Sequence, residues 1–289
     1  MAIFANKDTK VLVQGITGNF GAKQTELMLE YGTKIIAGVT PGKGGQKQFD
    51  IPVYDSVRQA VANHDIDASL IFVPAPFVQD AAFEAIDAGI PFMVILTDWV
   101  PLHDELRVKA YAKRSNTRYI GPNCPGMIVP GETSLGLISG SAVTPGSVGI
   151  VSRSGTLIDE VAQQLTEQGI GQSIIIGIGG DPVVGTRTVE VLQLLREDKQ
   201  TEVVLIVGEI GGVMEEEVAE YIGDKKFTKP VAAFIAGRTA PRGKRMGHAG
   251  AIVMGDRGTT ESKIGAFSRV GVPVAKTLSD IPSLLRGMI

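Results

Sequence analysis

Short runs of apolar, β-branched residues alternate with longer segments whose apolar positions recur at helical spacing, and the alternation holds along the whole chain. This is the pattern of parallel strands joined by crossover helices, so the class is α/β. In the first half it predicts strands over Lys10–Gln14, Lys34–Val39, Ser69–Val73, Phe92–Leu96 and Arg118–Ile120. Between them it predicts helices over Gly21–Tyr31, Ser56–Asn63, Val78–Ala88 and His103–Ser115. In the second half the strands fall at Ser147–Val151, Ser173–Ile176, Val203–Val207, Pro230–Ile235 and Pro273–Ala275, and the helices at Thr156–Gln168, Arg187–Glu197, Met214–Gly223 and Thr259–Val270. A polar, glycine-rich stretch of weak periodicity, Glu132–Gly146, reads as a linker between an N-terminal domain over 1–131 and a C-terminal domain over 147–289.

Length agrees with that division, because 289 residues exceed what one core usually fills and two cores are expected. With 44% hydrophobic and 20% charged residues the composition is that of a soluble globular protein, and a net charge of -3 gives no general attraction to nucleic acid or to an anionic membrane. The single cysteine, Cys124, rules out an intrachain disulfide framework and fits a reducing compartment. Met1–Asp8 has no basic stretch leading into an apolar run, and no apolar stretch approaches the roughly 20 residues that span a bilayer, so a cytoplasmic protein is expected.

Candidate chemistry gathers where the predicted strands end. The strand Lys10–Gln14 runs into Gly15-Ile-Thr-Gly18-Asn-Phe-Gly21, a G-x-x-G-x-x-G turn that opens a helix. Such a turn either holds the phosphate of a ligand on backbone N–H groups or is only a tight strand-to-helix connection. After the second strand, where a dinucleotide-binding chain would carry an acid, this one has Val39-Thr40-Pro41-Gly42-Lys43-Gly44-Gly45, and a lysine there disfavours NAD. Ser152-Arg153-Ser154-Gly155-Thr156 repeats the strand-to-helix theme and is either an anion cradle or a plain helix cap. Gly177-Ile-Gly-Gly-Asp-Pro182 is a further loop of the same edge.

The loop Gly237–Gly250 carries His248 among four cations, Arg238, Arg242, Lys244 and Arg245. An imidazole among cations is suited to phosphoryl transfer, and the alternative is a solvated basic loop with an incidental histidine. Glu209, at the end of a predicted strand, either orients the ring of that histidine or caps the helix that begins near Met214. No Cys/His spacing resembles a zinc site, Cys124 lies in a turn that reads as structural, and Trp99, the sole tryptophan, reads as a buried anchor or a ligand contact.

Taken together, Gln14–Gly18, Gly38–Gly45, Gly121–Gly126, Ser152–Thr156, Gly177–Pro182, Gly208–Gly212 and Gly247–Gly250 resemble, in order, the motifs of the succinate–CoA ligase α-subunit family over essentially the whole chain. The resemblance implies an N-terminal CoA-binding Rossmann-like domain followed by a flavodoxin-like ligase domain. It implies a partner β subunit whose ATP-grasp fold binds ATP or GTP with Mg²⁺, in an αβ or α₂β₂ assembly. His248 would carry the phosphoryl group, Glu209 would orient it, and Ser154, Gly155 and Thr156 would hold the phosphate. Coenzyme A would lie over Thr17, Gly18, Asn19 and Phe20, near Lys43, and along Leu96, Thr97 and Asp98. A non-catalytic, acyl-CoA-sensing protein is the rival of another class.

Three segments depart from the family pattern: Asn19–Thr25, where a polar turn and a Phe-His pair are usual; Thr97-Asp98-Trp99-Val100-Pro101, where Thr-Glu-Gly-Ile-Pro is usual; and Asp159, where a tyrosine associated with the acid site is usual. A carboxylate at 159 would repel a dicarboxylate unless a cation or hydroxyl intervenes, so a hydroxyl-bearing acid such as malate or citrate is the alternative substrate.

Overall fold

The computed structural model describes residues 3–239, 247–253 and 257–289. The first sheet contains β1 (Val11–Gln14), β2 (Ile35–Val39), β3 (Lys47–Gln48), β4 (Ile51–Tyr54), β5 (Ala68–Ile71), β6 (Phe92–Ile95) and β7 (Arg118–Ile120). Helices α1 (Asn19–Tyr31), α2 (Val57–Val61), α3 (Val78–Asp87) and α4 (Leu102–Ser115) cover its faces. The strand order is β3-β4-β2-β1-β5-β6-β7, parallel except for the short antiparallel β3. Strands β1, β5 and β6 are buried at every position, which is why they read as unbroken apolar runs rather than as alternation.

The second sheet contains β8 (Gly126–Val129), β9 (Thr133–Gly136), β10 (Pro145–Ser152), β11 (Gln172–Gly177), β12 (Val203–Glu209), β13 (Val231–Ala236) and β14 (Val274–Ala275). Its helices are α5 (Gly155–Glu167), α6 (Thr188–Glu197), α7 (Met214–Gly223), α8 (Thr260–Arg269) and α9 (Ile281–Arg286). The order β14-β13-β12-β10-β11-β8-β9 is parallel through β11, and β8 and β9 add an antiparallel hairpin at the edge. Among the described residues no helix is long and apolar enough to cross a membrane.

Two expectations are corrected. The segment 126–136 is not the end of one domain running into a linker: its hairpin pairs Met127 with Ile176 and Ile128 with Ile175, so it belongs to the second sheet. Its polar residues Thr133 and Ser134 are buried, Ser134 O accepting a hydrogen bond from Thr33 Oγ1 of the first domain at 2.8 Å, and this is what hid the strand from a periodicity argument. Nor are the cores simply two: each sheet has one of its own, and a third joins them. The largest apolar cluster runs from Val13 and Leu70 through Ile120 and Met127 to Ile176 and Ile206, so one core is continuous across both sheets.

Each sheet reverses strand order once. In the first, β2 and β5 flank β1; in the second, β11 and β12 flank β10. Crevices at the carboxyl ends of strands beside such reversals are where open α/β sheets hold ligands. Backbone bonds tie the two carboxyl edges together through the segment 121–126: Asn123 N donates to Thr97 O at 2.9 Å, and Asn123 O accepts from Gly180 N at 2.9 Å.

Candidate active site

At the first reversal the chain leaves β1 through Gly15, whose φ of +83° suits glycine, and turns so tightly that a Cβ on Gly21 would sit 2.3 Å from Gly15 O. Helix α1 then starts at Gly18 with no side-chain cap and no acid in its first turn. That leaves the positive end of the helix available to an anion. Thr17 Oγ1 donates to Thr40 Oγ1 at 3.1 Å, joining this turn to the loop that carries the exposed Lys43. Thr17, Gly18, Asn19, Phe20 and Lys43 thus belong to two joined loops of one sheet edge, an arrangement suited to a phosphate-bearing ligand.

The second reversal is built from side chains. Glu209 ends β12, and His248 Nδ1 lies 2.8 Å from its Oε1 and 2.9 Å from its Oε2. A carboxylate only accepts, so Nδ1 carries the proton, and in the neutral ring the lone pair is then on Nε2. The cap alternative for Glu209 is not realised: Val213 is the N-cap of α7, and Glu209 reaches that helix only through its backbone N–H, which donates to Glu215 Oε1 at 3.3 Å. The ring of His248 lies flat against Gly180, where a Cβ would come within 2.4 Å of its Cγ.

Two buried cations brace this corner. Arg153 Nη1 and Lys263 Nζ both donate to Gly211 O, at 3.0 and 2.9 Å, and Arg153 Nε stands 3.7 Å from Glu209 Oε1. Lys263, fully buried, also pairs with Glu215, while Glu216 accepts from Gly258 N at 2.9 Å and from Ser262 Oγ at 2.9 Å. Buried ions of this kind hold position only because each finds a partner.

Ser154 is the N-cap of α5, its Oγ accepting from Leu157 N at 3.4 Å, so the capping alternative for this serine is realised. Gly155 and Thr156, at the start of that helix, line a cavity of about 590 Å³ together with His248 and with Phe20, Leu96, Thr97 and Asp98 from the first sheet. The cavity thus joins predicted residues from both halves of the chain. A second cavity, of about 480 Å³, also lies against His248 and is walled by Glu105 and Asp181. Burial, and then the neighbouring Asp181, push the Glu105 carboxyl up to about 8. Asn123 Nδ2 donates to Asp181 Oδ1 at 3.0 Å. Cys124 is buried beneath the first cavity, its thiol bonded to Ile95 O and pushed up to about 12 by burial, in keeping with a structural role.

Family models match along the chain: a CoA binding domain over residues 6–99 and a CoA-ligase domain over 151–272. A protein of Archaeoglobus fulgidus named succinate–CoA ligase [ADP-forming] subunit alpha 2 is 54% identical over 285 residues, covering 99% of both chains. One of Aquifex aeolicus named succinate–CoA ligase [ADP-forming] subunit alpha is 52% identical over 283 residues, covering 97% of this chain and 92% of its own. The chain belongs to the succinate–CoA ligase α-subunit family.

Among solved structures, ATP citrate lyase from Methanothrix soehngenii, in complex with citrate and coenzyme A, superimposes with a TM-score of 0.87 at 24% identity. A dinucleotide forming acetyl-coenzyme A synthetase of Candidatus Korarchaeum cryptofilum gives 0.74 at 21%. At such identities these matches establish the shared fold. The chain spans about half the length of each, 52% and 59%.

Within the succinate–CoA ligase α-subunit family pattern, the departures at 99 and 159 are structurally distinct. Trp99 is not buried: it is 78% exposed, holds a left-handed φ of +59°, and stands at the rim shared by both cavities. Asp159 lies on α5, half-buried, its carboxyl accepting from Ser139 N at 3.4 Å and held above the usual range by burial; it is not among the described residues lining either cavity beside His248. Of the loop cations, Arg242, Lys244 and Arg245 lie outside the described residues, and Arg238 donates to Ala275 O at 3.0 Å. Arg153, Glu105 and Asp181 have no role in the sequence pattern: the first is part of the Ser152–Thr156 motif, the last ends a glycine loop, and Glu105 is one acid among several on a helix.

Proposed function

We propose that this chain is the α subunit of an ADP-forming succinate–CoA ligase, an acid–thiol ligase working through a phosphohistidine at His248. The observation that carries the reading is the bond from His248 Nδ1 to Glu209 at 2.8 Å, beside a cavity whose opposite wall comes from the CoA binding domain. With Nδ1–H held by Glu209, Nε2 attacks the γ-phosphorus of ATP; the N–P bond forms as the P–O bond to the leaving ADP breaks, and ADP takes the electron pair. Gly155 and Thr156, at the positive end of α5, stabilise the charge on the phosphoryl group. Transfer to the succinate carboxylate then gives an acyl phosphate. Attack by the CoA thiolate on its carbonyl expels inorganic phosphate.

In this reading coenzyme A lies on the uncapped start of α1, beside Lys43, with its thiol end in the cavity near Leu96, Thr97 and Asp98. ATP and Mg²⁺ are held by a β subunit with an ATP-grasp fold, and the assembly works in the cytoplasm. The test is to co-express the chain with its β subunit, follow ³²P transfer from γ-labelled ATP to His248, and assay CoA-dependent ADP release with succinate, malate and citrate. Labelling lost in His248→Ala and turnover greatest with succinate are expected. Preference for malate or citrate moves the acid assignment; a chain that never labels is a binding protein rather than a ligase.

A further inference from the structure

We propose that Arg153 is a positioning residue whose charge keeps His248 neutral and therefore nucleophilic, by taking up part of the negative charge of Glu209. The inference rests on His248 being the phosphoryl acceptor and adds the group that sets its protonation. A carboxylate hydrogen-bonded to imidazole has two opposite effects. It fixes the tautomer, and it also stabilises the imidazolium, which has no lone pair to offer phosphorus.

The geometry shows how the second effect is offset. The Arg153 side chain is 3% exposed, and its Nε has no hydrogen-bond partner among the described residues while standing 3.7 Å from Glu209 Oε1, on the carboxylate that holds His248. A buried guanidinium donor without a partner is costly unless the charge itself has a use. The guanidinium also meets all three loops of the corner. It belongs to the β10–α5 turn, donates to Gly211 O at 3.0 Å, and comes so close to Gly250 that a Cβ there would lie 2.4 Å from its Nη2.

Formal charges agree. Glu209 is faced by His248 from its loop, by Arg153 from the β10–α5 turn, and by Glu215 of α7 through its backbone N–H; Glu215 in turn pairs with Lys263 of α8, and Glu216 stands 3.9 Å from Lys263. Among the described residues, three carboxylates and two cations leave this corner one negative charge beside a neutral His248. Without Arg153 there are two, and Asp98 and Asp181 line a cavity with the same histidine. Such a surrounding favours a proton on the imidazole. Arg153 removes part of that bias.

The experiment compares Arg153→Gln, Arg153→Met and Arg153→Lys with the wild type. The first two remove the charge, glutamine retaining a donor for Gly211 O, and lysine retains the charge. His248 is titrated through its C2–H resonance, identified among three histidines as the one absent from His248→Ala, and its ³²P labelling in the complex with the β subunit is followed from pH 6 to pH 9.5. Charge removal is expected to raise the His248 midpoint by about one unit. Labelling at pH 6.5 then falls a few-fold and recovers toward wild type at pH 9, whereas Arg153→Lys keeps the wild-type midpoint. A midpoint unmoved in whichever charge-free variant folds, or labelling lowered by the same factor at every pH, overturns the proposal. Absence of labelling in the wild type sinks the ligase reading instead, and the resonance titration still tests Arg153.

Discussion

The first sheet reverses strand order at β1 and the second at β10, and a loop of chemical interest sits at each reversal, built by opposite means. At the first, the loop surface is backbone: Gly15, Gly18 and Gly21 leave room for close approach, α1 begins without a side-chain cap, and Lys43 is exposed. At the second, the geometry is held by buried charged side chains: Glu209, Arg153, Lys263, Glu215 and Glu216. The difference follows from the tasks proposed for the two sites. Holding a phosphate needs N–H groups that are free to meet it, whereas a nucleophilic histidine needs a fixed tautomer and a fixed electrostatic surrounding.

Lys263 offers the most severe way to break this contrast. It is fully buried, donates to Gly211 O at 2.9 Å and pairs with Glu215, so Lys263→Met leaves Glu215 buried without its cation. Removing one partner of a buried pair costs about 3–5 kcal/mol, and a loss of that order is expected in urea unfolding. A loss below about 1 kcal/mol, the range of exposed pairs, would show that this corner does not depend on its buried ions.

Two glycines sharpen the contrast at smaller cost. A Cβ at Gly21 meets Gly15 O at 2.3 Å, and one at Gly180 meets the His248 ring at 2.4 Å. Overpacking costs typically about 1–3 kcal/mol, but the functional consequences should separate. Gly21→Ala is expected to weaken CoA binding, read by calorimetry, with His248 labelling retained. Gly180→Ala is expected to slow labelling at least tenfold, in keeping with the sensitivity of transfer to small misplacements, with CoA affinity kept. If both variants lose both properties equally, the two sites are one cooperative unit, as the shared core of the sheets would then imply.

That asymmetry also explains what could be read from the chain beforehand. Alternating apolar runs and helical periodicity sufficed for the parallel strands except β4, helped by β1, β5 and β6 being buried on both faces. Glycine spacing marked the first loop, and the chemistry of one histidine and one strand-end glutamate marked the second. The hairpin of β8 and β9 was missed because Thr133 and Ser134 are polar yet buried, the Ser134 backbone being bonded to Thr33 Oγ1 from 101 residues away. Ser154 read equally as an anion ligand and as a helix cap, and the direction of its hydroxyl shows that it caps α5. Glu105 was invisible for a similar reason. On α4 it reads as solvent-facing, and only the packing of the Asp181 loop against that helix buries it.

Glu105 gives the mildest test and the one with a sign to work out. Its carboxyl is raised from an ordinary 4.5 to about 8 by burial and then by Asp181, with Val183 N donating to Oε2 at 3.2 Å as the opposing influence. Between those values the folded chain binds a proton that the unfolded chain has released. Stability from this group is therefore fully present below about pH 4.5 and is lost as pH rises through about 8. Glutamine mimics the protonated acid and does not ionise. Glu105→Gln is thus expected to melt with the wild type at pH 5 and a few degrees above it at pH 9, since one kcal/mol moves the midpoint of a chain this size by about 2–4 °C. Equal melting at both values would mean that Glu105 is ionised in the folded chain at neutral pH. The second cavity would then present three carboxylates, Asp98, Glu105 and Asp181, to His248, and the demand on Arg153 would be greater still.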